Sequence, residues 1–215
     1  MLHYNTVSGL LRGTLEKLMA APEFAVFRLV GGTALSLHRG HRMSVDIDLF
    51  TDSDYGSISF DTIHRYLLDN FPYVDTSGTL PVGIGRSYFI GTGPAESVKL
   101  DLYYTDKFID DPVLDGHVRL ATVEDIIAMK LDVILRTGRK KDFWDIHELL
   151  NDYTASEMLA LHKRRYPHTH GRALLISQFT NFEAADHDFE PDCLRGNHWE
   201  LIRLDIAEWI GRLRE

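Results

Sequence analysis

Val7, Leu10, Leu11, Leu15 and Leu18 recur at helical spacing and predict an amphipathic helix over residues 5–20. The next apolar run, Phe24-Ala25-Val26-Phe27-Arg28-Leu29-Val30, is rich in aromatic and β-branched residues, and predicts a strand that stops at Gly31-Gly32. Thr33-Ala34-Leu35-Ser36-Leu37-His38 holds good helix formers behind a threonine able to cap, so the expected order is strand, glycine turn, helix. Residues 43–50 and 97–104 alternate apolar with polar, the period of half-buried strands, and are expected in one sheet. Residues 59–70 read as a helix and Ser87–Gly91 as a further strand. The Gly- and Pro-containing stretches around 78–85 and 91–95 read as hairpin or loop connections.

After Thr122 the period changes. Val123, Ile126, Ile127, Met129, Lys130, Leu131, Ile134 and Leu135 lie on a predicted helix capped by Thr122 and stopped by Gly138. Further helices are expected at about 141–151, 155–165, 169–179 and 197–213. The chain therefore divides into an α/β part over residues 1–120 and a helical part over 121–215, with no internal repeat or low-complexity tract.

Composition narrows the class. With 215 residues, 44% of them hydrophobic, the chain can bury a real core and is not a disordered segment. No apolar run approaches the roughly 20 residues of a membrane-spanning helix, and Glu16 and Lys17 fall where a secretory signal stays apolar. The single cysteine, Cys193, rules out an internal disulfide, and a cytoplasmic location is the expectation. A formal charge of −9 gives no net attraction for nucleic acid, although a local basic patch is compatible with it.

The candidate chemistry lies in two strands. Period-two geometry sends Val45, Ile47 and Leu49 to one face of the first and Asp46 and Asp48 to the other, with ~6.5 Å between the two Cα atoms. Carboxylates that close repel each other and suit divalent metal. Lys99, Asp101 and Tyr103 project together from the second strand, so a third carboxylate joins the pair if the strands are neighbours. Three carboxylates around one pocket suit two-metal phosphoryl transfer, and Gly31-Gly32-Thr33 would offer backbone N–H groups to phosphate at a helix N-terminus.

These residues carry a resemblance. Gly31-Gly32-Thr33-Ala34-Leu35, followed by His41-Arg42, Ser44 and Asp46-Ile47-Asp48-Leu49-Phe50, resembles the signature of the AbiEii/AbiGii-type nucleotidyltransferases, a branch of the polymerase-β-like superfamily. The similarity continues through Lys99-Leu100-Asp101, Glu124-Asp125, Lys130-Leu131 and Lys141-Asp142 to Asp145, about residues 25–150 in all. It implies an α/β polymerase-β-like nucleotidyltransferase domain with a short mixed sheet, followed by the helical C-terminal region. It also implies transfer of NMP from an NTP with Mg²⁺ in a two-ion site, often as the toxin of a toxin–antitoxin or phage-defence pair, with tRNA as acceptor in some members. By that match Gly31, Gly32 and Thr33 contact phosphate, and Asp46 and Asp48 bind metal. Asp101 serves as metal ligand or base, Lys130 steadies the triphosphate, and Arg42 and Asp145 join the nucleotide site. An antitoxin encoded nearby is then an expected partner. The superfamily's usual Gly-Ser is Gly-Gly here, which removes one hydroxyl contact to phosphate.

Other readings stand beside these. An Asp-x-Asp pair also serves haloacid-dehalogenase-like phosphatases, but the polar His41-Arg42-Met43-Ser44 replaces the long apolar strand they need. Lys130 can be an ordinary solvated lysine, Asp142 and Asp145 can pair with Lys141 or Arg139, and His41 and Arg42 can cap a loop or touch phosphate. His168, His170, His187, Cys193 and His198 match no zinc spacing. The clusters Arg136, Arg139, Lys140, Lys141 and Lys163-Arg164-Arg165 are solvated faces or, if both flank one cleft, a track for acceptor RNA. A catalytically idle nucleotide-sensing or partner-binding module of the same fold is the rival to an enzyme.

Overall fold

The structure is a computed structural model, and it describes residues 1–76 and 83–214, without the side chain of residue 214. The connection expected around 78–85 therefore lies outside the described residues up to 82. The elements are α1 (Gly9–Ala20), β1 (Arg28–Leu29), α2 (Gly31–Arg39), β2 (Asp46–Thr51), α3 (Phe60–Asn70), β3 (Tyr73–Asp75), β4 (Gly85–Gly93) and β5 (Glu96–Tyr104). They continue with β6 (Val113–Asp115), β7 (Val118–Leu120), α4 (Val123–Thr137), α5 (Lys140–His147), α6 (Ala155–Arg165), α7 (Arg172–Gln178), α8 (Glu183–Asp186) and α9 (Trp199–Gly211).

One mixed sheet runs in the order β3-β4-β5-β2-β1-β7-β6. β2 and β5 are parallel neighbours at its centre, as the alternating patterns predict, while β4 lies antiparallel to β5 and β1 antiparallel to β2. The inward positions Ile47, Leu49, Leu100 and Leu102 are fully buried, and α1 packs against β2, β5 and β7 through the equally buried Leu11, Leu15 and Leu18. Each such leucine contributes about 2 kcal/mol by leaving water. Helix α4, capped by the Thr122 side chain as expected, lies against α2, α5, α6 and α7 and joins the helical part to the sheet.

Three expectations shift. The run 24–30 yields only the two-residue β1, because Pro22 opens a 3-10 turn over Pro22–Phe24 and a further turn bonds the Phe27 N–H to the Phe24 carbonyl. Phe24 and Phe27 are apolar because they fill the core. Helix α2 begins at Gly31, so Thr33 is its third residue and does not cap it. The sequence pattern also missed β3 and the hairpin of β6 and β7. Asp115 pairs with Val118 across Gly116-His117, and Gly116 has φ +59°, which a tight two-residue hairpin turn needs.

Candidate active site

Register decides the geometry. Asp48 stands directly opposite Asp101 in the parallel β2–β5 pair, and Asp46 opposite Lys99, so all four side chains rise from the half-exposed face of the sheet. Both glycines beside them leave room for side chains. Gly31 has φ +68°, and a Cβ there would lie 2.7 Å from Asp48 Oδ2; one on Gly32 would lie 2.2 Å from Arg42 Nη2. The buried Thr33 hydroxyl donates to the Asp46 carbonyl at 2.5 Å and shares a 2.7 Å hydrogen bond with Ser44, tying the start of α2 to β2.

Burial, together with Asp101 and Asp46 nearby, pushes the Asp48 carboxyl from 3.8 up to about 6. Lys99 Nζ donates to Asp101 Oδ2 at 2.5 Å, whereas Asp101 Oδ1 is buried without a hydrogen-bond partner among the described residues. Lys141 Nζ, from the first turn of α5, lies 3.9 Å from Asp46 Oδ2. Among the described residues no three His, Cys, Asp or Glu side chains close around one point as a metal cage, and Asp46, Asp48 and Asp101 share a face without doing so. Their chemistry nonetheless fits a hard divalent cation: the donors are all carboxylates, they repel one another, and one oxygen is left buried and unpartnered. Asp46, Asp48 and Asp101 are the residues that could hold Mg²⁺.

Lys130, Arg42 and Asp145 form a separate, buried group beside this face. Asp145 accepts from Arg42 Nε at 2.7 Å, Arg42 Nη2 at 2.9 Å and His41 Nε2 at 2.8 Å, and lies 2.6 Å from Lys130 Nζ. Lys130 also donates to Asp142 at 2.7 Å. Burial alone would raise the Asp145 pKa, but Arg42 and Lys130 outweigh it and hold the carboxyl well below its ordinary value. Burial works to lower the Lys130 pKa, and Asp142 and Asp145 together leave it raised. Asp142 and Asp145 thus pair with Lys130 and Arg42, not with Lys141 or Arg139.

The basic clusters are largely neutralised. Arg139 forms two 3.0 Å hydrogen bonds to Asp188, Arg136 pairs with Asp132, and the buried Lys140 lies 3.9 Å from Glu190. Arg165 is buried on Asp125 at 2.7 Å, and Arg164 lies 3.4 Å from Asp110. No metal-binding group is formed by the histidines and Cys193 among the described residues; Cys193 instead makes a backbone bridge to Arg42. A groove of about 310 Å³ lined by Tyr153, Trp209 and Leu213 contains none of the predicted site residues.

Comparison with known proteins supplies the family. Residues 14–208 match the family model described as nucleotidyl transferase AbiEii toxin, type IV TA system. The chain belongs to this family. It is accordingly a nucleotidyltransferase. A protein of Aquifex aeolicus described as uncharacterized is 29% identical over 206 residues, which span 89% of each chain. Among solved structures, a Helicobacter pylori protein described as a candidate nucleotidyltransferase superposes with a TM-score of 0.58 at 19% identity, covering 94% of this chain and 91% of its own. MenT4, a nucleotidyltransferase toxin of Mycobacterium tuberculosis, gives 0.51 at 14% identity over 91% and 83%. Both likenesses concern the fold. No helix among the described residues is long and apolar enough to cross a membrane.

Sequence reasoning overlooked two residues at the site. Ser44 was visible only as a member of the motif, and its bond to Thr33 appears once α2 is placed. Lys141 was placed both in the motif ahead of Asp142 and in a basic cluster, with no site role, and the signal that separates it from its neighbours is its place in α5 just before the buried Asp142.

Proposed function

We propose that the chain transfers NMP from an Mg-NTP to a hydroxyl of an RNA acceptor, the acceptor oxygen bonding the α-phosphorus as pyrophosphate leaves, and that it acts in the cytoplasm as a toxin held in check by an antitoxin. The observation that carries the chemistry is the register of β2 and β5, which puts Asp48 opposite Asp101 with Asp46 on the same face beside the start of α2. When bound by these carboxylates, Mg²⁺ supplies charge neutralisation of the triphosphate and a lower pKa for the attacking hydroxyl. Asp101 accepts the hydroxyl proton through its unpartnered Oδ1. The backbone of Gly31-Gly32 borders the phosphates, and the Arg42–Asp145–Lys130–Asp142 group ties the α2–β2 connection to α4 and α5 around them.

For the acceptor, support comes from a groove of about 460 Å³ between the end of α4 and α7–α8, whose polar lining includes Arg136, Gln178, Asn181, His187 and one carboxylate, Glu183. The exposed arginine and the amides suit phosphate and ribose. Incubation with each of four labelled NTPs and total cellular RNA tests the reading. Label transferred to RNA by the wild type and not by Asp48→Asn is expected, and expression of the wild type alone is expected to slow bacterial growth. Absence of transfer from every NTP overturns the transferase reading for this site, whereas transfer to a small molecule or protein overturns only its RNA part.

A further inference from the structure

We infer that Lys141 is the residue that grips the triphosphate of the incoming nucleotide, and that Lys130 acts behind it as a positioning residue. The inference rests on the reading of the site as an NTP site. The cations around the carboxylate face differ in their hydrogen-bonding capacity. Lys130 is fully enclosed by Asp142 and Asp145 at 2.7 and 2.6 Å. Arg42 is committed to both oxygens of Asp145 and to the Met43 carbonyl. Lys99 is bound to Asp101, Arg139 to Asp188 through two hydrogen bonds, and Lys140 is buried over the Trp199 ring. Withdrawing Lys130 or Arg42 to meet a phosphate would strand a buried carboxylate, a severe cost in such a setting.

Lys141 is different. Its side chain is 38% exposed, its nearest carboxylate oxygen is 3.9 Å away on Asp46, and no hydrogen bond to its ammonium occurs among the described residues. Three N–H donors are therefore available to anionic oxygens. Its position is nonetheless fixed, because its neighbours Asp142 and Asp145 anchor α5 from below: Asp142 bonds Lys130 and the Arg139 N–H, and Asp145 bonds Arg42 and His41. One turn of helix thus turns its carboxylates inward as anchors and holds one ammonium beside Asp46 at the edge of the reaction face. An ammonium beside the carboxylates offsets their repulsion, and moving from Asp46 to a phosphate costs it only one weak, half-exposed ion pair.

The test compares binding of a fluorescent NTP and of the matching nucleoside monophosphate to the full chain as wild type, Lys141→Gln and Lys141→Arg, with Mg²⁺ and with chelator. Because Lys141 is half-exposed, the variants are expected to melt like the wild type. The Kd for NTP is expected to rise roughly tenfold or more in Lys141→Gln, while that for the monophosphate moves by less than about twofold. Lys141→Arg is expected to restore most of the loss, since it keeps the charge. An unchanged NTP affinity in Lys141→Gln, or an equal loss for NTP and monophosphate, would overturn the inference while leaving the NTP site standing. A wild type that binds no NTP under either condition overturns the site reading itself, and the inference with it.

Discussion

Asp145→Asn is the perturbation that most sharply tests how the two parts of the chain are held together. In the buried group, Arg42 and Lys130 are balanced by Asp142 and Asp145. The substitution removes one negative charge and sets an amide with two N–H donors among the four donors that now point at Asp145 from Arg42, His41 and Lys130. One buried positive charge is left without a counterion, a defect that costs about 3–5 kcal/mol. For a chain of this size each kcal/mol lowers the melting temperature by about 2–4 °C, so a fall of roughly 6–20 °C is expected. Urea denaturation of wild type and variant measures the difference directly. Its pH dependence follows from the depressed Asp145 pKa: the stabilisation is complete above the ordinary value of 3.8 and is lost as pH falls through the lower folded value. The gap between the proteins is therefore expected to stay flat from neutral pH down to about 5 and to narrow only in stronger acid. A loss below about 1 kcal/mol, the range of a surface pair, would refute the view of this group as the lock between sheet and helices.

Asp48→Asn is expected to abolish transfer yet stabilise the chelator-treated protein at pH 7.5 by about 2–3 kcal/mol, from the difference between about 6 folded and 3.8 unfolded. The raised folded pKa means that the contribution of Asp48 is most favourable below 3.8 and is lost as pH rises through about 6, so the gain should vanish toward pH 4 in parallel melts; a less stable variant at pH 7.5 would contradict it. Gly31→Ala is expected to cost about 1–2 kcal/mol for its left-handed backbone and to lose transfer by displacing Asp48. Gly9→Ala, where a Cβ meets nothing within 4 Å, is the control, and equal activity of the two variants would show that Gly31 does not make room for Asp48.

Long elements were legible because burial imposes a period on them. Residues 59–70 and 123–137 carry both an apolar stripe and a side-chain cap, Ser59 and Thr122, and they emerge as α3 and α4 within a residue of expectation. Short elements carry too few positions to show a period. β3, β6 and β7 have three residues each, and only Asp115-Gly116 between Val113-Leu114 and Val118-Arg119-Leu120 marked a hairpin. The run 24–30 misled for the opposite reason: Phe24, Phe27, Leu29 and Val30 are apolar because they fill the core, and apolarity without alternation does not distinguish a strand from a turn packed on the core.

At the site the same distinction separates what one strand shows from what only the fold shows. Alternation within β2 and β5 was enough to place Asp46, Asp48 and Asp101 on outward-facing positions, and the parallel register then brought those positions together. Ion pairing has no comparable local signature, because the partner is chosen by tertiary contact. His41 and Arg42 meet Asp145 across 104 and 103 positions, while Asp142 passes over its neighbour Lys141 to bind Lys130 from another helix. A row of charges such as Arg139-Lys140-Lys141-Asp142 therefore reads as one solvated patch in the sequence. In the fold it divides into an arginine tied to Asp188, a lysine laid over Trp199, a lysine facing Asp46 and an aspartate that anchors the helix. Burial is what divides them: once Asp142 and Asp145 must face the interior to meet Lys130 and Arg42, the 100° step of the helix leaves the residue before Asp142 at the margin of the reaction face.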